Sequence, residues 1–414
     1  MLTPSRKQAK QGSPANVTII PKRAFGRRPH RKTVLTLFGT RPEVIKLAPV
    51  IHCLERQVDS LRTINVSSGQ HATLLYPFID LFGIRVDVDL RLMTADQDPG
   101  TLCSRIFEGV NALVKTESPD LILVQGDTTT ALAGALVGQH CGVPVGHVEA
   151  GLRSGNIWSP FPEEMNRLQI TQLATYHFAA TARNRETLLS EGIVDQAIFV
   201  TGNPVVDALR MVLEMDHPFS DPHLLKQIGN RKCIVLTTHR RESFGRILEE
   251  NLRTLSQFVR EREDVVLIFP MHPNPNVSGP ARKILSDNPR TFVIDPLPYR
   301  DFIHLLSRSW LIVSDSGGIQ EEVPSLGKPL LILRENTERA ECIDSGMARL
   351  VGGTSEALMA MLEEAYQDGS WVNSVRTVRN PFGNGDSAWR IAHCVTRLLR
   401  NVTDSLEEKV VDRC

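Results

Sequence analysis

The stretch Trp310-Leu-Ile-Val-Ser-Asp-Ser-Gly-Gly-Ile-Gln-Glu-Glu322 joins an apolar run to a small-residue turn and a helix-forming segment. A strand that leads through a tight turn into a helix is the basic unit of a parallel α/β sheet. Ser316, Gly317 and Gly318 let backbone N–H groups approach an anion, and the following helix start adds its positive dipole end. Glu322, about one helical turn further on, can accept hydrogen bonds from a ribose. The stretch therefore predicts a nucleotide site, and the alternative is that the two glycines only shape a tight turn.

The length and composition predict a globular protein with two domains. The chain has 414 residues, more than one ordinary core accommodates. Its 41% hydrophobic and 23% charged residues are ordinary for such a protein. Lysine plus arginine and aspartate plus glutamate each number 47, so no overall charge attracts nucleic acid or a membrane surface. From this charge balance we expect no nucleic-acid partner. Because no run approaches the roughly eighteen apolar residues of a membrane span, we also expect no membrane insertion.

The cysteines predict reduced thiols and a cytoplasmic location. They are odd in number, scattered and never spaced as Cys-x-x-Cys, which argues against a disulfide framework and a zinc site. No His-rich or Asp-rich spacing typical of a metal site occurs, so we expect no metal. The alternative for each cysteine is that it fills a buried position. The seven cysteines are Cys53, Cys103, Cys141, Cys233, Cys342, Cys394 and Cys414.

Residues 1–32 contain many lysines and arginines and no acidic residue. The apolar run at 17–20 is far too short for the core of a signal peptide. We expect a disordered basic tail over residues 1–32. The alternatives are a transit peptide, a tether to an anionic surface, a dispensable extension or a misassigned start.

Short apolar runs alternate with amphipathic stretches from residue 33 onward, which is the βαβ pattern of parallel sheets. Continuous rather than alternating hydrophobicity indicates that helices cover both faces of each sheet. We therefore predict an α/β fold of two doubly wound, Rossmann-like domains, at 33–215 and 216–384, with the active site between them. A closing helix is expected at 385–401 and a flexible C-terminal tail at 402–414. The predicted strands are at 33–38, 63–67, 121–124, 143–148, 176–180, 198–201, 233–237, 265–270, 291–294, 311–313 and 329–333.

Arg41 and Lys46 follow the first predicted strand and the turn residue Gly39. Pro42 suits a helix start, so the two basic side chains fall within the first two turns of that helix. Ligands of open α/β sheets bind outside the carboxyl ends of the strands. A guanidinium and an ammonium at this point favour binding of a diphosphate, whereas the alternative is a solvated surface pair.

Three carboxylates near strand ends of the first domain, Asp127, Glu149 and Glu163, are candidates for acid/base chemistry. Glu149 directly follows an apolar run, where a charge is costly unless it is paired or used, and Arg153 is a candidate partner. Asp127 has the alternative role of a helix N-cap. Glu163 has the alternative role of an acidic residue that compensates a helix dipole.

His239 follows the first strand of the second domain, between Thr238 and the pair Arg240 and Arg241. The neighbouring arginines favour contact with a phosphate, and a histidine at a strand end can donate a proton to a leaving phosphate. The alternative is a structural histidine. His272, which follows another predicted strand, is a weaker candidate for the same role.

Taken together, six motifs resemble those of the non-hydrolysing UDP-N-acetylglucosamine 2-epimerases, in order and over residues 33–399. The resemblance implies the two-domain GT-B architecture, a homodimer and a UDP-sugar substrate, with no metal or redox cofactor. It also implies interconversion of UDP-N-acetylglucosamine and UDP-N-acetylmannosamine, which supplies bacterial surface polysaccharides. The motifs are Gly39-Thr-Arg-Pro-Glu43, Gly126-Asp-Thr-Thr-Thr130, Gly146-His-Val-Glu-Ala-Gly-Leu-Arg153, Pro160-Phe-Pro-Glu-Glu-Met-Asn-Arg167, His239-Arg-Arg-Glu-Ser243 and Asp315-Ser-Gly-Gly-Ile-Gln-Glu-Glu322.

The same resemblance assigns residue roles. Asp127, Glu149 and Glu163 match the acid/base carboxylates of the family, and His239 matches the histidine that assists departure of the diphosphate. The family reaction eliminates UDP to form a glycal and adds it back after C2 has been reprotonated on the other face. Phe302 matches a residue beside the uracil. Further UDP contacts are implied for Arg41, Lys46, Ser316, Gly317, Gly318, Glu322 and Arg339.

Three departures from the family pattern stand out. The segment Gln70-His-Ala-Thr-Leu74 differs from the motif that binds an activating second substrate molecule, so activation of this kind is in doubt. Ala340 stands where proline is usual, and Thr238 where glycine or alanine is usual. The alternatives to the epimerase are an enzyme for a modified UDP-sugar, a hydrolysing epimerase, a GT-B glycosyltransferase and a non-catalytic UDP-sugar sensor. The proline-containing motif at Gly39–Glu43 argues against the hydrolysing class, and the retained carboxylates argue against the transferase and the sensor.

Overall fold

Two β-sheets, each covered by helices, form the framework of the protein. The computed structural model describes residues 18–19, 31–70, 72–93, 98–216, 218–240, 244–272 and 274–411. The first sheet contains β1 (Thr18–Ile19), β2 (Lys32–Phe38), β3 (Leu61–Ser67), β4 (Val88–Asp89), β5 (Leu121–Gln125), β6 (Val145–Ala150), β7 (Tyr176–Ala179) and β8 (Ile198–Val200). The second contains β9 (Lys232–Thr237), β10 (Val265–Pro270), β11 (Thr291–Ile294), β12 (Leu311–Ser314), β13 (Leu330–Ile332) and β14 (Ala348–Leu350).

The strand orders are those of doubly wound sheets. In the described residues the first sheet runs β1-β4-β3-β2-β5-β6-β7-β8 and the second runs β11-β10-β9-β12-β13-β14. All pairings are parallel except that of β1 with β4. In each sheet the order reverses beside the first long strand, β2 or β9, which is the point where such folds place their ligands.

Helices connect the strands and cover both faces of each sheet. Those before the second sheet are α1 (Arg41–Glu55), α2 (Ala72–Phe82), α3 (Pro99–Glu117), α4 (Thr129–Cys141), α5 (Glu163–Leu173), α6 (Ala182–Ser190), α7 (Val205–Glu214) and α8 (Pro222–Ile228). Those after its first strand are α9 (Arg246–Arg260), α10 (Pro275–Leu285), α11 (Tyr299–Arg308), α12 (Gly317–Leu326), α13 (Ala340–Asp344), α14 (Ser355–Gln367), α15 (Ser370–Ser374) and α16 (Ser387–Val411).

The strands bury side chains on both faces. In β2, Val34 and Phe38 belong to one hydrophobic cluster, and Leu35 and Leu37 belong to another. The first of these clusters also contains residues of the second sheet, such as Ile312. A shared core of this kind fixes the two sheets against each other, so the turns at their carboxyl ends face one another.

Helix α16 returns from the second sheet to pack on α1 and α7. Asp207 of α7 accepts hydrogen bonds from the backbone N–H groups of Ser387 (3.2 Å) and Ala388 (3.1 Å) at the start of α16. Burial raises the pKa of Asp207 to about 6. The helix extends to Val411, beyond its predicted end at residue 401, and residues 402–411 contain no glycine or proline that would stop it.

The two-sheet α/β prediction is confirmed. All eleven predicted strands are present, each with ends within two residues of the prediction. The sequence missed β1, β4 and β14, which have only two or three residues and too little periodicity to recognise. Most of the predicted basic tail lies outside the described residues. The weakly patterned segment at 217–231 contains the short helix α8, and the domain boundary placed there stays a prediction. None of the helices described is long and apolar enough to cross a bilayer.

Candidate active site

The turn after β12 presents an open helix N-terminus. Ser316 is the N-cap of α12, but its side chain makes no capping hydrogen bond. A Cβ atom on Gly317 would lie 2.9 Å from Nη1 of Arg339, so a larger residue here would displace the guanidinium that packs directly against the turn. Gly318 is exposed and has open space around its Cα. The arrangement leaves backbone N–H groups available to an anion, with a guanidinium beneath them.

Glu322 lies one turn into α12 and is buried. Tyr299 donates a hydrogen bond of 2.8 Å to its Oε1 atom, and burial raises the pKa of Glu322 to about 7. The Tyr299 ring lies 5.1 Å from the ring of Phe78, over which the guanidinium of Arg41 is placed at 5.6 Å. Phe302 is half-buried one turn after Tyr299 on α11. The structure thus places Arg41, the first residue of α1, beside Tyr299 and Glu322, at the predicted ribose end of the nucleotide site.

Lys46 is buried between two carboxylates, with 8% of its side chain exposed. Its Nζ atom donates a short hydrogen bond to Oε1 of Glu149 and lies 2.7 Å from Oε2 of Glu321, an ionic contact without hydrogen-bond geometry. Burial opposes the cationic form, but the two carboxylates more than offset it and the pKa of Lys46 is raised. The lysine predicted to bind a diphosphate therefore also joins the two sheets.

Glu149 lies near the carboxyl end of β6 at a shift in register with β7. Its φ of 67° is in the left-handed region, which costs free energy for a non-glycine residue and often occurs at functional sites. Besides Lys46, its carboxylate accepts hydrogen bonds from Gln125 and, at 3.4 Å, from Asn203. Burial raises the pKa of Glu149 to about 7, although Lys46 opposes this shift.

Arg153, the candidate partner of Glu149, does not contact it in the described structure. Its guanidinium forms a salt bridge of 2.6 Å with Glu191 and a hydrogen bond of 2.7 Å to Thr171. The partner of Glu149 is Lys46 of α1, which is distant in the sequence.

Asp127 lies in the turn after β5 and directly follows Gly126, whose position is beside the Glu149 carboxylate. Its carboxylate forms a salt bridge of 2.5 Å with Arg167 of α5. The N-cap of α4 is Thr128, whose side chain accepts from the N–H of Ala131 at 3.0 Å. The alternative role of Asp127 as an N-cap is therefore wrong.

Glu163 is the first residue of α5, and its Oε2 atom is buried without a hydrogen-bond partner in the described structure. The same helix contacts the Asp127 turn through Asn166, which donates a hydrogen bond of 2.8 Å to the backbone oxygen of Asp127. The neighbouring Glu164 instead accepts from the backbone N–H groups of Ser154 and Gly155. Of the two acidic residues in this helix turn, Glu163 is therefore the one that remains available for acid/base chemistry.

His239 lies at the end of β9 on the opposite side of the site, with 44% of its side chain exposed. Its Nδ1 atom is 3.4 Å from Oδ1 of the fully buried Asp315, and its ring stacks on His272 with centroids 5.9 Å apart. Burial lowers the pKa of His239, His272 adds to this effect and Asp315 opposes it. Thr238 donates a hydrogen bond of 2.7 Å to Asp315, which gives the unusual threonine a structural role. Arg241, like His71, lies outside the described residues.

The sequence missed the two acidic residues that hold Arg339. Nε of Arg339 donates to Glu321 at 2.6 Å, and Nη1 donates to Glu338. Despite burial, Arg339 and its basic neighbours lower the pKa values of Glu321 and Glu338 to about 2. Ala340 begins α13 directly after Arg339, so the missing proline does not leave the arginine side chain unsupported. Glu321 stands in the motif Asp315–Glu322 and Glu338 directly precedes Arg339, but only the packing reveals their common partner.

Glu43 organises the turns after β2 and β5. Its carboxylate accepts from the N–H groups of Gly39 (3.0 Å) and Thr40 (2.8 Å) and from the hydroxyl of Thr128 (2.7 Å). Burial raises the pKa of Glu43 to about 7, and these hydrogen bonds oppose the shift. Because they fix the turns that precede Arg41 and α4, Glu43 supports both sides of the first-sheet part of the site.

We predict a pH-dependent difference in stability between the wild type and Glu43→Gln. Between the ordinary glutamate pKa of 4.5 and the raised pKa of about 7, the folded state keeps a proton on Glu43 that the unfolded state releases. The stabilisation present at low pH is therefore lost as the pH rises to about 7. We expect the wild-type free energy of unfolding, relative to the variant, to fall by about 1.4 kcal/mol per pH unit in this window. Urea unfolding at pH 5, 6 and 7 measures it, and a constant difference would contradict the shift.

Known proteins resemble this chain over most of its length. The family model described as UDP-N-acetylglucosamine 2-epimerase matches residues 54–396. A UDP-N-acetylglucosamine 2-epimerase of Salmonella typhimurium is 42% identical over 366 residues, which cover 86% of this chain and 96% of that protein.

In the described part of the chain, no group of three or more His, Cys, Asp or Glu side chains is placed to hold a metal ion.

Two solved structures have the same architecture. A putative UDP-N-acetylglucosamine 2-epimerase from Listeria monocytogenes superposes with a TM-score of 0.83 at 37% identity, covering 90% of this chain and 97% of its own. The enzyme from Neisseria meningitidis, bound to UDP-N-acetylglucosamine, gives a TM-score of 0.80 at 36% identity, covering 88% and 100%. The fold and site thus define a GT-B-like α/β enzyme. The chain belongs to the UDP-N-acetylglucosamine 2-epimerase family, whose members are isomerases.

Proposed function

We propose that this protein interconverts UDP-N-acetylglucosamine and UDP-N-acetylmannosamine by reversible epimerisation at C2, without releasing free sugar. The observation that carries the proposal is Glu149, a buried carboxylate with a pKa of about 7 that is linked through Lys46 to Glu321 of α12, the helix whose N-terminus is open to an anion. A carboxyl group with a pKa near the working pH can both take and return a proton. The Neisseria relative bound to UDP-N-acetylglucosamine supports the choice of substrate.

The chemistry proceeds by elimination and addition. A carboxylate takes the proton from C2 while the bond between C1 and the diphosphate oxygen breaks, so that UDP leaves with the electron pair and a glycal forms. The glycal is then protonated at C2 on its other face, and UDP adds back to C1. Carboxyl groups on both faces of the sugar are required, and we assign this work to Asp127, Glu149 and Glu163. His239, which follows the carboxyl end of β9 in the second sheet, assists departure of the diphosphate.

The nucleotide lies against the second sheet in this proposal. The diphosphate binds at Ser316, Gly317 and Gly318, where backbone N–H groups and the Arg339 guanidinium meet. Glu322 binds the ribose, and Phe302 lies beside the uracil. Arg41 and Lys46 approach the diphosphate from the first sheet. We further propose that the enzyme is a cytoplasmic homodimer that supplies N-acetylmannosamine units for bacterial surface polysaccharides.

Arg41→Ala is expected to weaken UDP binding. The guanidinium is exposed at the first position of α1 and lies beside the Phe78–Tyr299 pair, so it is free to form charged hydrogen bonds with the diphosphate. We expect a loss of about 1.5–3 kcal/mol in binding free energy, measured by titration calorimetry with UDP. Arg56→Ala, at the other end of the same helix, is the matched control and should bind as the wild type does. Unchanged affinity of the Arg41 variant would remove Arg41 from the phosphate site.

Separation of reaction products tests the proposed function. Purified protein is incubated with UDP-N-acetylglucosamine and no acceptor, and the products are resolved by anion-exchange chromatography. A UDP-linked epimer without free sugar supports the proposal. Free N-acetylmannosamine with stoichiometric UDP would instead place the chain among hydrolysing epimerases, and no turnover would favour a modified UDP-sugar or an acceptor-dependent transferase.

A further inference from the structure

The Lys46 ammonium group contacts two carboxylates, one on a strand of the first sheet and one on a helix that follows a strand of the second sheet. Lys46 of α1 contacts Glu149 of β6 and Glu321 of α12, and the three side chains are 8%, 8% and 2% exposed. Such contacts between buried charges are screened little by solvent. A change in the charge of either carboxylate is therefore transmitted to the other through Lys46.

Glu321 is also held from its other side. Its Oε1 atom accepts a hydrogen bond of 2.6 Å from Nε of Arg339, the guanidinium that packs beneath Gly317. With so little exposed surface, Glu321 has almost no area left for a ligand. It can influence Glu149 through the two cations that it contacts and through its own negative charge.

We propose that Glu321 is a positioning residue that draws part of the Lys46 charge away from Glu149 and so keeps Glu149 able to exchange a proton near neutral pH. A lysine devoted wholly to Glu149 would stabilise the carboxylate and make it a weaker base. Glu321 counters this in two ways, because it competes for the ammonium and adds a like charge nearby. The inference rests on the proposed acid/base role of Glu149.

Of the charged groups that act on Glu149, Glu321 is the acidic one. Lys46 faces it from α1, Glu321 from α12 and Arg339 from the residue before α13, and these three act on its charge. Its remaining hydrogen-bond partners, Gln125 and Asn203, are neutral. Burial together with Glu321 favours the protonated form of Glu149, while the two cations oppose it.

The test is the titration of Glu149 in Glu321→Gln. Carbon-13 NMR of glutamate labelled at the δ-carboxyl follows the titration, and the Glu149 signal is assigned by its absence in Glu149→Gln. We expect the Glu149 midpoint to fall by about one pH unit or more, because Lys46 then serves a single carboxylate. An unchanged or raised midpoint would overturn the inference.

The matched control is Glu338→Gln. Glu338 is a second buried partner of Arg339, yet no contact joins it to Lys46 in the described structure. We expect this variant to leave the Glu149 midpoint within about 0.3 pH unit, since the charges in contact with Lys46 are unchanged. Equal shifts in both variants would mean that loosening of Arg339 is the cause, which contradicts the proposal.

A second variant covers the case in which Glu321→Gln does not fold. In Lys46→Met the shared cation is gone, and the Glu149 midpoint should rise by about one pH unit or more. No rise would show that Lys46 does not control Glu149 and would overturn the inference.

Kinetics separates this inference from the proposed function. The pH profile of kcat/KM is recorded for Glu321→Gln with each epimer as substrate. In the direction in which Glu149 takes the proton, the acidic limb should move to lower pH together with the NMR midpoint, because the carboxylate then ionises at lower pH. A shifted midpoint with unmoved limbs in both directions would support the division of the Lys46 charge but remove Glu149 from the acid/base role.

Discussion

Glu149→Gln is expected to lower kcat for epimerisation by roughly a hundredfold or more, the range that loss of a general acid/base group typically costs. The amide keeps the shape of the side chain but only one acceptor oxygen, so it retains the hydrogen bond from Gln125 or the one from Asn203, and it cannot exchange a proton at C2. Lys46 stays paired with Glu321, so the nucleotide part of the site is left in place. UDP affinity, measured by calorimetry, should therefore change little.

Asp207→Asn is the matched control for this experiment. Asp207 is another buried carboxylate with a raised pKa, but it caps α16 away from the candidate active site. We expect it to reduce thermal stability without a comparable loss of kcat. Equal losses of UDP binding and turnover in Glu149→Gln would contradict the acid/base assignment, since they would indicate general damage to the site.

Arg339→Met is expected to lower the free energy of unfolding by about 3 kcal/mol, because it removes a cation shared by two buried carboxylates. Lys46 still contacts Glu321 and Arg334 still contacts Glu338, so the loss stays at the lower end of the range for a broken buried pair. Glu321 and Glu338 both bind the Arg339 guanidinium, and no more than 4% of either acidic side chain is exposed. Urea unfolding measures the loss as a lower midpoint with an unchanged m-value. UDP binding should weaken in the same variant, since the guanidinium under Gly317 is gone.

Arg246→Met provides the matched control for stability. Arg246 forms an ion pair with Glu250 one turn along α9, but 89% of its side chain is exposed. Exposed pairs of this kind contribute little because solvent screens them. A loss for Arg339→Met no larger than that for Arg246→Met would contradict a structural role for the buried cluster.

Much of the fold was predictable because parallel strands covered on both faces leave a simple signal. Runs such as the one at 265–270 are apolar throughout, and their ends coincide with turn residues, so strand positions followed directly. The candidate residues at the strand ends were found by the same rule. The strands that were missed, such as β14 at Ala348–Leu350, are too short to show any periodicity.

The pairing of charges was not predictable from sequence. Lys46 and Glu149 are 103 residues apart, and no local pattern indicates either their contact or the positive φ of Glu149. Glu321 and Arg339 are 18 residues apart, and their guanidinium–carboxylate pair packs against Gly317. These contacts arise from how two sheets pack, whereas the sequence reports which residues stand at the ends of single strands.

Proton NMR of the purified protein with UDP-N-acetylglucosamine in deuterated water tests the central claim most directly. Elimination and re-addition require the C2 proton to leave and a solvent-derived one to enter from the other face. We expect deuterium at C2 of a UDP-linked N-acetylmannosamine product, together with partial exchange into the remaining substrate. Conversion to the epimer with the original proton retained at C2, or release of free N-acetylmannosamine, would contradict the account.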